Sequence, residues 1–341
     1  MAFGILLSMS DTIAETLRAL LASRKGILAA DESNASADIR LQGVGIEPTE
    51  ENRRRYRELL FTTPGIERYL SGIILYDETF RQATNEGILF RELLASLGII
   101  VGIKVDEGLE DVPGGQVTKG LEGLSERVRE YYELGARFAK WRAVARVGDG
   151  YADPTIKENA KRLAEYARIC HEHSLVPMVE PEVLMEGVHS AEDAEGALIE
   201  TIAIVYDALK AASVDVRRVV LKTSMAVSGK DAVSRAEPAE VAERTVRALK
   251  TAVPEEAGGV VFLSGGQAPD EAARNLNAIA RLEPHPWPIA FSFSRALQEP
   301  VLATWAGNDE MRDEAQAMLI KRLTLAVAAD SGAYTPGMES A

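Results

Sequence analysis

The sequence predicts a (β/α)8 barrel, the TIM-barrel fold, in a single domain that spans residues 1–341. Short apolar runs rich in Val, Ile and Leu recur along the chain, and amphipathic stretches of helical periodicity lie between them. Successive runs lie about 30 to 45 residues apart, which is the repeat expected for the strand–helix units of such a barrel. With 46% hydrophobic residues, the chain can bury a core of this size.

Eight runs are predicted to be strands because each is short, largely apolar and ends at a polar or charged residue. In chain order they are GILAADES (26–33), GIILYDE (72–78), IIVGIKVD (99–106), FAKWRAV (138–144), LVPMVEPE (175–182), RVVLKTS (218–224), GVVFLSGG (259–266) and PIAFSFSR (288–295). A doubly wound open sheet is the alternative fold. It would more often carry a glycine-rich dinucleotide turn after its first strand, and GILAADES contains no glycine in that turn.

Helices are predicted wherever apolar residues recur with the period of a helix. Between the strands these stretches include EENRRRYRELLF (50–61), LSERVREYYELGARF (124–138), KENAKRLAEYARICHEH (157–173), AEGALIETIAIVYDALKAA (194–212) and PAEVAERTVRALKTAV (238–253). An extra helix, SDTIAETLRALLAS, lies in an N-terminal extension over residues 1–24. Another, DEMRDEAQAMLIKRLTLAVAAD, precedes a short C-terminal tail over residues 331–341.

The charge balance limits the classes of partner. There are 38 basic and 52 acidic residues, so the formal net charge is −14, which opposes general attraction to nucleic acid or to anionic membranes. The N-terminus has no charged and apolar pattern typical of a signal peptide, and no apolar stretch reaches the roughly 18 residues of a membrane span. We therefore expect a cytoplasmic protein with no nucleic-acid or membrane partner.

The predicted strand ends carry an unusual number of charged side chains. In a (β/α)8 barrel the carboxyl ends of the strands build the active site. The charged residues predicted there are Asp31, Lys104, Lys140, Arg142, Glu180, Glu182, Lys222 and Arg295. Ion pairs can explain any one of them, but eight together indicate a catalytic site.

Lys222 follows the apolar residues of VVLKTSM, where burying an unpaired ammonium would cost several kcal/mol. We interpret it as a nucleophile that attacks a carbonyl. A lysine side chain has a pKa near 10.4 in water, so such an amine needs desolvation or a nearby cation, and Lys140 could supply that cation. Glu180, in the segment VEPE, is the predicted general acid that removes water from the carbinolamine.

Glycines and serines near the last two strands predict a phosphate site. The segment FLSGGQ offers Ser264, Gly265 and Gly266, and the helix that follows it is expected to add its positive end. The segment FSFSRAL adds Ser292, Ser294 and Arg295.

Metal catalysis is not expected. The chain has four histidines, of which His171 and His173 lie two residues apart on a predicted helix and cannot share a face. The other two, His189 and His285, lie outside the strand-end runs. We predict no metal and no cofactor.

Together these segments resemble class I fructose-bisphosphate aldolase over about residues 10 to 336. The motifs that follow the family in order are GILAADES, TEENRRRYRELLFTT, VGIKVDEG, GLEGLSERVREYYELGARFAKWR, VPMVEPE, VVLKTSM, FLSGGQ and SRALQ. The resemblance implies reversible cleavage of fructose 1,6-bisphosphate to dihydroxyacetone phosphate and glyceraldehyde 3-phosphate through a lysine Schiff base, without a metal, in glycolysis and gluconeogenesis. It also implies a homotetramer, the common state of the family.

The resemblance assigns roles to the catalytic candidates. Lys222 matches the Schiff-base lysine, and Glu180 matches the acid–base group, with Glu182 as its partner near the lysines. Lys140 matches the cation that assists carbinolamine chemistry. Asp31 matches the carboxylate that takes the C4 hydroxyl proton as the C3–C4 bond breaks.

The resemblance also assigns the two phosphate ends of the cleft. Ser264, Gly265 and Arg295 match the pocket for the C1 phosphate of the ketose. The residues that match the aldehyde-side phosphate site, or basic positions of the same cleft, are Ser33, Ser36, Lys104, Arg40 and Arg142.

Four positions depart from the family pattern. Thr223 and Ser224 stand where the animal motif has Pro-Asn, Ser294 stands where a glycine is usual, and Ile39 replaces a lysine.

Two other functions remain open from the residues. One is another Schiff-base barrel enzyme, such as a transaldolase or keto-acid aldolase, and the other is a non-catalytic scaffold that has kept the fold.

Overall fold

The computed structural model describes residues 8–22, 24–148 and 155–340. Its strands are β1 Gly26–Ala30, β2 Leu70–Leu75, β3 Ile100–Lys104, β4 Leu109–Val112, β5 Gly115–Thr118, β6 Phe138–Ala145, β7 Val176–Val183, β8 Val220–Thr223, β9 Gly259–Phe262 and β10 Ile289–Phe293. Eight of them pair in parallel and close a barrel in the order β1-β10-β9-β8-β7-β6-β3-β2. The predicted (β/α)8 barrel is confirmed.

The helices surround the barrel and cover the outward-facing side chains of its strands. They are α1 Ser8–Leu20, α2 Asn34–Gly43, α3 Glu50–Phe61, α4 Asp77–Arg81, α5 Phe90–Ser96, α6 Leu124–Glu133, α7 Ile156–Glu172, α8 Ala191–Ala211, α9 Pro238–Ala252, α10 Pro269–Ala280, α11 Arg295–Trp305 and α12 Arg312–Asp330. No helix of the described part is long and apolar enough to cross a membrane.

Local sequence sets several helix boundaries. The side chain of Thr49 accepts a hydrogen bond from the backbone N–H of Asn52 and caps α3, whose bounds match the prediction. The predicted helix over residues 124–138 is too long. It ends at Glu133 because Gly135 adopts a φ of 108°, and the chain then enters β6 at Phe138.

Helix α1 closes the amino-terminal end of the barrel. Its residues Leu17 and Leu20, together with Leu21 directly after the helix, pack against inward-facing apolar side chains that include Phe138 and Val220. Because side chains alternate along a strand, the residues two and four positions farther along face the same interior at the opposite end. The apolar plug therefore leaves the carboxyl ends of the strands as the place for polar side chains.

A two-stranded antiparallel hairpin, formed by β4 and β5, follows β3 and is absent from the sequence prediction. Pro113 and Gly114 make its turn, and Gly114 adopts a φ of 93°. The Asn159 amide of α7 holds the hairpin, since its oxygen accepts from the backbone N–H of Thr118 and its nitrogen donates to the carbonyl of Gln116.

The predicted C-terminal tail is packed against the domain over its described residues, 331–340. Tyr334 is buried, and its hydroxyl donates to Glu339. Glu339 in turn forms a salt bridge with Arg322 of α12.

Candidate active site

A cleft of about 1010 Å³ opens at the carboxyl ends of the barrel strands. It brings together all but one of the site residues predicted from the sequence. Those that line it are Asp31, Ser33, Ser36, Arg40, Lys104, Lys140, Arg142, Glu180, Glu182, Lys222, Ser264, Gly265, Ser292 and Arg295. Gly266 follows directly but does not line the cleft, and its Cα faces Met185.

Strand register explains why the central side chains meet. In the pairing of β7 with β8, Met178 lies opposite Val220, so Glu180 and Lys222, each two residues farther along, stand level. Met178 and Val220 both belong to the interior apolar cluster. Because side chains alternate, Glu180 and Lys222 point into the same interior, one layer nearer the cleft.

Two lysines and two carboxylates form a buried ion network. The Nζ of Lys222 lies 3.0 Å from Oε1 of Glu180, and the Nζ of Lys140 lies 3.0 Å from Oε2 of the same carboxylate. Lys140 also lies 2.6 Å from Oδ2 of Asp31. All four residues are at most 8% exposed. The formal charges cancel, which makes burial of the four groups tolerable.

The network fixes the ionisation of three of its members. Burial would raise the pKa of Asp31, but the cations of Lys140 and Lys222 outweigh it and hold that pKa well below its usual range. Burial likewise opposes ionisation of Glu180, and the same two lysines lower its pKa. Burial would lower the pKa of Lys140, yet Asp31 and Glu180 raise it well above the usual value. Lys140 is therefore a permanent cation beside Lys222.

Glu182 pairs with Arg142 rather than with a lysine. Burial would lower the pKa of Arg142, but the Glu182 carboxylate raises it, so Arg142 stays a cation. Asp106, which we did not predict as a site residue, supports this side of the cleft. Its carboxylate lies 2.7 Å from Nζ of Lys104 and accepts a hydrogen bond of 3.2 Å from the backbone N–H of Arg142.

The end of the cleft near β1 is suited to an anion. Ser33 caps α2, and its hydroxyl accepts from the backbone N–H of Ser36 and donates to the Ser36 hydroxyl. The first turn of α2 carries no acidic residue, so the positive end of the helix is uncompensated. Lys104, Ser33 and Ser36 line the same cleft.

A second set of anion ligands lies near β9 and β10, and β10 is the neighbour of β1 in the barrel. Gly265 adopts a φ of 49°, and its carbonyl accepts a hydrogen bond from Arg295, which is exposed. Ser264 is buried, and the Oγ of Ser292 is fully buried with no hydrogen-bond partner among the described residues. A buried hydroxyl without a partner is costly unless a ligand supplies one.

The helix expected to assist this end does not offer its positive end freely. The first turn of α10 holds Asp270 and Glu271, and Glu271 accepts the backbone N–H of Ala268. These carboxylates compensate the helix dipole. The first turn of α11, which begins at Arg295, has no acidic residue, so α11 is the better candidate.

Glu32 is the most connected cleft residue that sequence reasoning missed. Its carboxylate accepts hydrogen bonds from Arg40, Ser294 and Gln298 on one oxygen and from Arg57 on the other. The quoted segment GILAADES already placed an acidic residue beside Asp31. Its partners come from three distant segments, so the pattern alone could not reveal the network.

Comparisons with known proteins agree on one family. The family model "Fructose-bisphosphate aldolase class-I" matches residues 12–341. A "Probable fructose-bisphosphate aldolase class 1" of Xanthomonas campestris pv. campestris is 49% identical over 300 residues, covering 87% of this chain and 90% of the relative. "Fructose-bisphosphate aldolase 4, cytosolic" of Arabidopsis thaliana is 45% identical over 315 residues, covering 91% of this chain and 80% of the relative.

Among solved structures, a fructose-bisphosphate aldolase from Plasmodium falciparum, crystallised with TRAP and a small-molecule inhibitor, matches with a TM-score of 0.94. The two chains are 42% identical, and the match covers 96% of each.

Proposed function

The chain belongs to the class I fructose-bisphosphate aldolase family, and on that premise we propose that its cleft cleaves fructose 1,6-bisphosphate reversibly through an imine on Lys222. The products are dihydroxyacetone phosphate and glyceraldehyde 3-phosphate. The observation that carries the assignment of Lys222 is its place at the end of a buried strand, 3.0 Å from a carboxylate that a second lysine shares.

The first stage makes the imine. The neutral amine of Lys222 attacks C2 of the open-chain ketose, and the carbonyl oxygen takes up a proton to give the carbinolamine. Glu180 then donates a proton to the departing hydroxyl, so that water leaves and a protonated imine remains. Because Glu180 contacts both lysines, it can return the proton that Lys222 loses, while Lys140 stays charged and stabilises the developing negative charge on oxygen.

The second stage breaks the C3–C4 bond. The carboxylate of Asp31 takes the proton of the C4 hydroxyl, the aldehyde forms, and the bonding electrons move into the protonated imine to give an enamine. The suppressed pKa of Asp31 keeps this group ionised and ready to accept a proton. The imine nitrogen is the electron sink, so the cleavage needs no metal and no cofactor.

The two anion-binding ends account for the two phosphates of the substrate. Ser264, Gly265 and Arg295, with the unpartnered hydroxyl of Ser292, are proposed to bind the C1 phosphate. The aldehyde-side phosphate is assigned to the positive end of α2 and its neighbours, namely Ser33, Ser36 and Lys104. Arg40 and Arg142 are further basic residues of the same cleft.

The experiment that tests this function is reductive trapping. Borohydride is added to the protein with dihydroxyacetone phosphate in buffer containing EDTA, and the modified peptide is identified by mass spectrometry. We expect a stable adduct on Lys222 in the wild type and none in Lys222→Ala. Lys230→Ala, which changes an exposed lysine of the same loop region outside the cleft, is the matched control and should form the adduct normally. A folded wild-type protein without the adduct would refute the mechanism.

We further propose a homotetramer in the cytoplasm. The resemblance supports the tetramer, and the cytosolic name of the Arabidopsis relative supports the location. Light scattering of the purified protein should return four chain masses, and a monomer at micromolar concentration would contradict the assembly.

A further inference from the structure

Ser294 lies between β10 and α11, directly before Arg295, and it lines the cleft. It occupies the N-cap position of α11. A serine at an N-cap usually accepts a hydrogen bond from a backbone N–H in the first turn of its own helix. The side chain of Ser294 makes no such bond, so its hydroxyl serves another part of the molecule.

Side chains of the cleft wall occupy the full hydrogen-bonding capacity of the Ser294 hydroxyl. It donates to Oε1 of Glu32 at 2.8 Å, accepts from Nε2 of Gln298 at 3.1 Å, and lies 3.5 Å from a guanidinium nitrogen of Arg40. A hydroxyl has one hydrogen and two lone pairs, so these partners saturate it. Ser294 therefore ties the end of β10 to the segment after β1.

Glu32 bonds both Ser294 and Arg40, so it links the position of the Arg40 side chain to that of Ser294. The Glu32 side chain is 7% exposed and forms salt bridges with Arg40 and with the buried Arg57. Burial opposes ionisation of Glu32, but the two arginines outweigh it and lower its pKa to about 2, so the carboxylate stays charged. The Arg40 side chain is 25% exposed and lines the cleft. Its guanidinium is thus held in place by a carboxylate that Ser294 helps to fix.

The start of α11 remains open as a consequence. The backbone N–H groups of Leu297 and Gln298 bond the Ser294 carbonyl at 3.1 and 3.0 Å. No hydrogen bond between described residues uses the N–H of Arg295 or Ala296. The unpartnered, fully buried hydroxyl of Ser292 lies in the same cleft wall, which marks the place as a ligand site rather than a bare helix end.

We propose that Ser294 is a positioning residue for recognition of the C1 phosphate of the ketose. Its hydroxyl fixes Glu32, and through it Arg40, and because it is directed away from α11 it leaves the first two amides of that helix for the phosphate. The proposal rests on the proposed function and adds a specificity residue to it. Ser294 does not touch the reacting atoms, so it governs binding and not turnover.

Steady-state kinetics with fructose 1,6-bisphosphate test the proposal, together with the concentration of dihydroxyacetone phosphate that half-saturates borohydride trapping. Ser294→Ala removes the hydroxyl and should raise both the KM and the half-saturating concentration about five-fold, while kcat changes less than about two-fold. Ser294→Thr keeps the hydroxyl and should stay within about two-fold of the wild type. Ser294→Gly, which removes the hydroxyl and Cβ together, should behave like Ser294→Ala.

Wild-type KM and half-saturation in Ser294→Ala would overturn the role. So would a threonine variant as impaired as the alanine variant, or a glycine variant that matches the wild type, since Cβ rather than the hydroxyl would then matter. The trapped adduct separates this failure from failure of the proposed function. An adduct on Lys222 with an unchanged KM removes only the role of Ser294, whereas a wild type that forms no adduct removes the aldolase mechanism.

Discussion

At the scale of single residues, Glu180 is the group on which the proposed mechanism depends. It lies 3.0 Å from both lysines, one on each oxygen, so it can move a proton at Lys222 without losing its contact with Lys140. The Oε2 atom is otherwise buried without a hydrogen-bond partner among the described residues. A buried carboxylate with spare acceptor capacity beside an amine is suited to proton transfer.

We expect Glu180→Gln to lower kcat by about 100- to 10,000-fold, which is the usual contribution of a general acid–base group. The amide has the shape of the carboxylate but cannot donate or accept the proton in the dehydration step. The adduct on Lys222 should still form with dihydroxyacetone phosphate, only more slowly. Stopped-time trapping and steady-state assays measure the two effects.

Glu195→Gln is the matched control for this substitution. Glu195 is a buried glutamate that pairs with Arg244 and Arg247 between α8 and α9, outside the cleft. Its replacement should leave kcat within about two-fold of the wild type while lowering stability. If Glu180→Gln retains more than about a tenth of wild-type kcat, Glu180 is not the acid–base group.

The sequence predicted where the central residues lie, because their positions follow from strand ends. Lys140, Glu180 and Lys222 are all inward-facing on neighbouring strands, and alternation alone brings them together. The partners within the network could not be predicted in the same way. That Glu182 pairs with Arg142, and that Ser294 bonds Glu32, depends on side-chain geometry across segments far apart in the sequence.

At the scale of elements, the end of α12 carries an unfavourable charge. Asp330 is the last residue of the helix, where exposed carbonyls make a negative pole, and its Oδ1 has no hydrogen-bond partner among the described residues. Burial, with a smaller effect of the nearby Glu283, raises the pKa of Asp330 to about 7. The folded state therefore holds a proton that the unfolded chain has already released between about pH 4 and pH 7.

Between about pH 4 and pH 7 the unfolded state binds fewer protons at this group than the folded state does. The contribution of Asp330 to the free energy of unfolding therefore falls as the pH rises through that range. We expect Asp330→Asn to remove the loss and to raise the free energy of unfolding at pH 8 by about 4 kcal/mol, with little difference at pH 4. Urea denaturation of the wild type and the variant at pH 4 and pH 8 measures this difference in the free energy of unfolding.

Asp313→Asn is the control at the opposite end of the same helix. Asp313 lies in the first turn of α12, where a carboxylate is favourable, so its loss should cost at most about 1 kcal/mol at pH 8. Equal stability of Asp330→Asn and the wild type at pH 8 would show that Asp330 is ionised there without penalty.

Elements with strong periodicity were predicted from the sequence, and those set by turns were not. The prediction for α3 matches its observed bounds, since a cap and an apolar stripe mark it. The hairpin of β4 and β5 was not predicted because LEDV and GQVT are short and mostly polar, although Pro113 and Gly114 between them are a turn signal. Its stability comes from Asn159 of α7, a contact remote in sequence.

At the scale of the whole molecule, the two ends of the barrel have different chemistry. Helix α1 fills the amino-terminal end with leucine side chains, and the carboxyl end holds the lysines, arginines and carboxylates of the cleft. The chain has a net charge of −14, yet both parts of the cleft that we propose to bind phosphate offer cations or helix amino termini. The acidic surface opposes nonspecific binding of polyanions, whereas the cations of the cleft favour a small anionic ligand.

The histidines are distributed so that they cannot serve this cleft as metal ligands. His171 contacts the carbonyl of Arg218 and His173 contacts the Ser125 hydroxyl, both at the end of α7 that leads into the amino terminus of β7. His285 contacts the carbonyl of Ile279 in the loop before β10, and none of the four histidines lines the cleft.

Because the proposed imine on Lys222 takes the electrons of the broken bond, we expect EDTA to leave kcat unchanged and added Zn²⁺ to have no effect on it. A zinc-dependent aldolase assayed in the same EDTA buffer is the control and should lose activity. Loss of cleavage in EDTA that Zn²⁺ restores would assign the electron sink to a metal instead of Lys222.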